Sequence, residues 1–108
     1  MSKTILQINY KVSASHADFI ALVTPMAEPI SSSPGLLWKI WLINEAEHEA
    51  GGIYLFESHE AAQGFVDNPA VKGFAAHPMI SALNAKFFEP DEVLSKVTRG
   101  PLAVAQEV

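Results

Sequence analysis

Between Pro34 and Phe56 the chain reads PGLLWKIWLINEAEHEAGGIYLF, a probable-hairpin pattern that is apolar on both of its sides. Successive side chains of an extended strand point to opposite faces. Leu36, Trp38, Ile40 and Leu42 therefore fall on one side, and Leu37, Trp41 and Ile43 on the other, with Lys39 among them. A strand that is apolar on both faces has to be covered twice. A chain of 108 residues has helix enough for one cover, so a second molecule, a ligand cavity, or both must supply the other.

Length and composition narrow the field. A single domain spanning residues 1–108 buries a real core without metal or disulfide staples, and 49% hydrophobic residues argue against disorder. The absence of cysteine excludes disulfides, cysteine nucleophiles, zinc–thiolate sites and iron–sulfur clusters. A net charge of −5, with seven scattered Lys and Arg, opposes nucleic-acid binding. The opening MSKTILQINY is broken at Gln7 and Asn9, so it has neither a signal-peptide core nor a membrane span. The expectation is a cytoplasmic protein with no membrane partner.

Local patterns predict the elements. Thr4–Val12 alternates Leu6, Ile8, Tyr10 and Val12 against Ile5, Gln7, Asn9 and Lys11, a strand whose polar side lines a wetter surface or a cavity. Ser15 caps a helix reaching about Ile30, kinked where Pro25 removes a backbone donor. Pro34-Gly35 turns into a strand over Leu36–Asn44, and a second strand returns over Gly51–Phe56. Ser58 caps a helix to about Asp67, a short helix follows over Ala70–Ala76, and Ser81–Glu89 is the last strand. Beyond Pro90 comes a tail over residues 90–108 with one helical turn, and the sequence leaves open whether it packs on its own subunit or on a partner. Strand, helix, two strands, helix pair, strand is the split βαβ plan of a ferredoxin-like α+β fold. Its four-stranded antiparallel sheet carries helices on one face and leaves the other bare, and two such faces can pack together in a homodimer.

The segment SSSPGLLWKIWLINEAEHEAGGIYLFES resembles the YdhR-like monooxygenases of the dimeric α+β barrel superfamily, most closely in PG-x-LWK-x-W and EAGGIYLF. The likeness continues through the Pro-containing helix and the KFF-x-P-x-E-x-LS tail. It implies a dimeric α+β barrel and, by analogy with small cofactor-independent oxygenases, oxidation of an aromatic compound by molecular oxygen with no cofactor.

Such chemistry needs a protein that binds a flat ring, removes a proton and keeps water from the intermediate. Trp38, Trp41, Tyr54 and Phe56 are the candidate ring-binding residues, with Asn9 a polar contact from the first strand. Lys39 is placed to stabilise developing negative charge, unless it reaches the rim or pairs with Glu49. His77 and His48 are the candidate proton acceptors, with Glu49 behind them, because a histidine needs little tuning near neutral pH. No metal site is expected: His59-Glu60 and His48-Glu49 begin HExxQ and HExxG, each lacking the second histidine.

Two other functions compete. A haem-degrading relative would use His77 and Asn9, but no tryptophan lies between Ser58 and Pro78, and Pro78 alters the helix that would carry the ligand. A non-catalytic binding or structural dimer would use the aromatic strands only as packing, and it predicts a filled interior with no titratable group pointing inward.

Overall fold

A computed structural model describes residues 2–103. Strand β1 (Thr4–Val12) lies at the centre of a four-stranded antiparallel sheet. It pairs with β3 (Glu49–Phe56) on one side and β4 (Ile80–Phe88) on the other, and β2 (Leu36–Asn44) lies outside β3, giving the order β2-β3-β1-β4. The ferredoxin-like plan expected from the sequence is the one observed. Strand β3 starts at Glu49, two residues before the expected Gly51, because Glu49 and Ala50 already pair with Lys11 and Tyr10.

Among the described residues, four short α-helices cover one face. Helix α1 (His16–Val23) starts at Ser15, whose hydroxyl accepts from the Asp18 N–H. The kink expected at Pro25 is a 3-10 turn over Thr24–Met26, after which α2 (Ala27–Ser31) completes the segment. Helix α3 (His59–Val66) is capped by the Ser58 hydroxyl and α4 (Pro69–Ala75) by the Asn68 side chain, with Pro69 at the first helical turn. Leu6, Ile8, Tyr10 and Val12 of β1 pack with Phe19, Val23, Ala62 and Phe65 of the helices and with Tyr54 and Phe56 of β3. Burying such side chains contributes about 1.5–3 kcal/mol each, so this layer anchors the fold.

Two bulges set which residues face that layer. Leu36 pairs with Phe56 and Trp38 with the adjacent Leu55, leaving Leu37 as an extra residue on β2. Leu36 therefore shares the helix-covered face with Lys39 and Trp41, while Trp38 points the other way. The simple alternation that grouped Leu36 with Trp38 fails at this one position. On β4, Ala82 takes a left-handed backbone (φ 52°) and the register slips opposite Tyr10.

The open face carries Ile40, half exposed, and Phe88, also half exposed. Part of this face is covered by the chain itself. After α5 (Glu92–Val97) the backbone returns so that the Trp38 indole N–H donates to the Pro101 carbonyl at 2.9 Å. Leu55, beside Trp38 in the register, is fully buried, as is most of Leu102. The part of the tail beyond residue 103 lies outside the described residues.

Candidate active site

Between the sheet and its helices lies a cavity of about 440 Å³. Its floor is built by Ile8 and Tyr10 of β1, Lys39 and Trp41 of β2, Tyr54 of β3 and Leu83 of β4. Leu22, Met26 and Ile30 of the kinked α1–α2 segment form one wall, and Phe65 of α3 with Val71 and Phe74 of α4 the other. The 3-10 turn matters here. It brings Pro25 and Pro29 to the rim and opens space that a straight helix packed on the sheet would fill. A groove of similar size, about 410 Å³, runs near the start of β1 past Lys3, Glu60, Phe87, Phe88 and Glu89, but it is a wide, open surface feature of mixed polar and apolar lining.

Lys39 is the single cationic side chain lining the cavity. Its stem crosses Gly52, where an added Cβ would come within 2.7 Å of the Lys39 Cε and 3.2 Å of the Tyr54 ring. The missing side chain thus makes room for the lysine to lie along the floor. The amine nitrogen ends 3.2 Å from the centroid of the Trp41 ring and 4.6 Å from that of Tyr54. Burial pulls its pKa down from 10.5 to about 7, because it strips much of the solvent shell that would stabilise the ammonium. That displacement corresponds to about 5 kcal/mol against the charged form. Attraction of a cation to the ring faces, worth ~2 kcal/mol, opposes it and is smaller. Desolvation wins, and amine and ammonium coexist near neutral pH.

Tyr10 and Tyr54 supply the other polar atoms. Each is 95% buried, and neither hydroxyl has a hydrogen-bond partner among the described residues. Neither oxygen is sealed off from space, so the two hydroxyls face the cavity. Burial pushes the Tyr10 phenol up to about 12. It pushes Tyr54 higher still, with the charge of Tyr10 adding to the effect. Both stay protonated and available as donors. The surrounding rings hold them in place: Phe74 meets Tyr10 edge-on at 5.2 Å, and Phe65 lies 4.9 Å from Tyr54.

The structure brings Lys39, Trp41 and Tyr54 together and sets the other candidates apart. Phe56 is fully buried and stacks behind Tyr54 at 6.1 Å, a support and not a wall. Trp38 is on the opposite face, tied to Pro101. Asn9 is there too, in a shallow polar depression with Gln7, Asn84 and Lys86. His48 sits in the β2–β3 connection in a left-handed conformation (φ 53°), beside a small cleft shared with His16 and Glu45. His77 lies in the turn between α4 and β4, where its Nδ1 accepts from the Met79 N–H at 3.1 Å. No histidine lines the cavity. In the sequence pattern Tyr10 stands only as part of an apolar stripe. The available signal was its hydroxyl, which a core position among Leu6, Ile8 and Val12 gives nothing to bond with.

The family described as "Putative mono-oxygenase ydhR" matches residues 5–101. The chain belongs to this family. A search of curated proteins returns no significant match. Among solved structures, this ydhR-family chain is similar to SnoaB, a cofactor-independent oxygenase from Streptomyces nogalater, with a TM-score of 0.68 at 16% identity over 84% of this chain and 95% of that one. It is similar also to the ActVA-Orf6 monooxygenase of Streptomyces coelicolor, solved with nanaomycin D, with a TM-score of 0.65 at 16% identity over 83% and 88%. The heme-degrader MhuD from Mycobacterium tuberculosis, solved with two hemes in its active site, gives a TM-score of 0.61 at 25% identity over 80% and 94%. At 16% identity the first two likenesses establish a shared fold. Among the described residues no helix of the ydhR-family chain is long and apolar enough to cross a membrane, and no group of three or more His, Asp or Glu could hold a metal ion.

Proposed function

We propose that this protein oxygenates a small, electron-rich aromatic compound with molecular oxygen, using neither metal nor flavin. The observation that carries the reading is one inward amine, without a hydrogen-bond or ion-pair partner among the described residues, inside a largely apolar, aromatic-walled cavity where burial pulls its pKa down. General bases work best with a pKa near the operating pH, and burial is a common way to bring a lysine there. The neutral Lys39 amine takes a proton from a phenolic or enolisable carbon acid. The ammonium so formed lies beside the new anion and stabilises it. The anion gives one electron to oxygen, and the radical pair joins to a peroxide. Loss of water then leaves a carbonyl, so that a CH2 group and O2 become C=O and H2O. Tyr10 and Tyr54 offer hydrogen bonds to the substrate oxygens, and Trp41 and Phe74 bracket the ring.

Of the proton acceptors expected from sequence, His77 and His48 lie outside this cavity, and the base role passes to Lys39. Haem fits the residues present poorly, because no histidine faces the space and the two tyrosines that do are held protonated by burial, which makes them weak iron ligands. A purely structural role sits poorly with a cavity of about 440 Å³ holding an inward amine. The same reading makes the protein a homodimer through its open sheet face, where Ile40 and Phe88 are half exposed. Light scattering of the purified chain tests that assembly.

The activity test is oxygen uptake by metal-free protein over a panel of anthrones, quinols and catechols. Lys39→Met should lower turnover by about 100-fold or more, the usual contribution of a positioned base. Uptake that is unchanged in a folded Lys39→Met variant would remove this mechanism.

A further inference from the structure

The Lys39 amine has a property that a base does not require: it has no competing partner. Among the described residues it makes no hydrogen bond and no ion pair, and its neighbours are the ring faces of Trp41 and Tyr54. Strands β1, β2, β3 and β4 contribute Tyr10 and Tyr54 as the other titratable groups lining the space, and the α1–α2, α3 and α4 walls contribute none. A lysine held by a carboxylate is a cation and a poor nucleophile, whereas one held on apolar surface presents a lone pair.

We propose that Lys39 is a covalent capture site for small aromatic aldehydes and ketones, with which its amine forms an imine inside the cavity between sheet and helices. The Nζ lone pair adds to the carbonyl carbon, and one of the two N–H protons passes to the carbonyl oxygen to give a neutral carbinolamine. The hydroxyl then takes up a proton from solvent and leaves as water, the C=N bond forms, and the second N–H proton returns to solvent. Amine and carbonyl become imine and water, with no change of oxidation state. The Tyr10 and Tyr54 hydroxyls, which face the cavity without protein partners, are suited to bond the carbinolamine oxygen. The apolar walls favour release of water and slow its return. Aromatic carbonyls are selected over polar ones such as glyoxylate because the remaining lining is hydrocarbon and ring surface.

This inference does not depend on oxygen chemistry, and its test is run without oxygen. The protein is incubated anaerobically at pH 7 with 2-naphthaldehyde and sodium cyanoborohydride, which reduces the imine to a stable secondary amine. Intact mass and peptide mapping then locate the naphthylmethyl group. Because burial lowers the Lys39 pKa, far more of its amine is neutral at pH 7 than of an ordinary lysine, and its lower basicity offsets only part of this, leaving a rate advantage of about tenfold or more. The expected result is labelling of Lys39 ahead of Lys3, Lys11, Lys72, Lys86 and Lys96 by about that factor, lost in Lys39→Arg. Val71→Phe, which narrows the cavity from α4 and leaves the amine in place, should slow labelling of Lys39 alone. Labelling ordered by surface exposure, or unaffected by Val71→Phe, would overturn the proposal. Trapping without oxygen uptake keeps this inference and sinks the oxygenase reading, and uptake without trapping does the reverse.

Discussion

Replacing Lys39 by methionine should remove a specific pH dependence from the stability of the fold. In the unfolded chain the amine holds its proton up to about pH 10.5, and in the folded protein it releases it near pH 7. Between those values the unfolded state binds more protons, so stability rises with pH by up to about 1.4 kcal/mol per pH unit, and below them it is flat. With these two values, the rise between pH 7 and pH 9 is about 2 kcal/mol. Tyr10 and Tyr54 act in the opposite sense: their pKa values are raised above the ordinary 10.0, so their contribution is complete below pH 10 and is lost above it. The window from pH 7 to 9 is therefore free of them. Urea unfolding of the wild type and of Lys39→Met at both pH values, at one protein concentration, gives the answer as a difference of differences in which every other titrating group cancels. The wild type should gain about 2 kcal/mol on the variant across the interval. A gap between the two proteins that stays constant from pH 7 to pH 9 would show that the amine is hydrated in the folded state, and the argument for its reactivity would fall with it.

Adjacent glycines of β3 should respond very differently to alanine. At Gly51 the new methyl would run into the Ile8 carbonyl of the neighbouring strand, so Gly51→Ala should cost about 3 kcal/mol or more in thermal or urea unfolding. At Gly52 it meets the flexible Lys39 stem at 2.7 Å, so Gly52→Ala should fold with a loss of about 1 kcal/mol while displacing the amine. Oxygen uptake should then fall far more than stability does. Trp38→Phe keeps the apolar contact but removes the bond to Pro101, which should cost about 1 kcal/mol. Hydrogen exchange should quicken over residues 92–103, and unchanged protection there would mean that the tail is held by other contacts.

How far the sequence reveals this molecule depends on whether a feature is carried by neighbours along the chain or by neighbours in space. Strand β1 and the β2–β3 hairpin are visible as alternation because a pleated backbone imposes that period. The caps at Ser15 and Ser58 are visible because a side-chain oxygen must meet a nearby N–H. The bulge at Leu37 is not visible. Leucine, leucine and tryptophan on both sides of the slip suit either face, so the phase change leaves no mark in the pattern. Lys39 and Trp41 were correctly paired because both follow the bulge. The chemistry of a histidine carries no information about its place: His77 is occupied in a turn and His48 in a hairpin connection. Nor does a helical pattern say that a proline will become a 3-10 turn that opens space over Tyr10.

The extra residue at Leu37 also determines how the chain can tolerate change. From Trp38 onward β2 is fixed against β3 by its own register, and Leu36 by Phe56. A one-residue insertion or deletion in the turn over Ser32–Gly35 would have to be absorbed before Leu36 or pass through the slip at Leu37. The slip works like an expansion joint: length errors upstream spend themselves there, and the orientation of Lys39 and Trp41 is insulated from them. Deleting Leu37 would straighten the strand and still leave Leu36 opposite Phe56 on the helix-covered face, because regular alternation already puts the residue before Trp38 there.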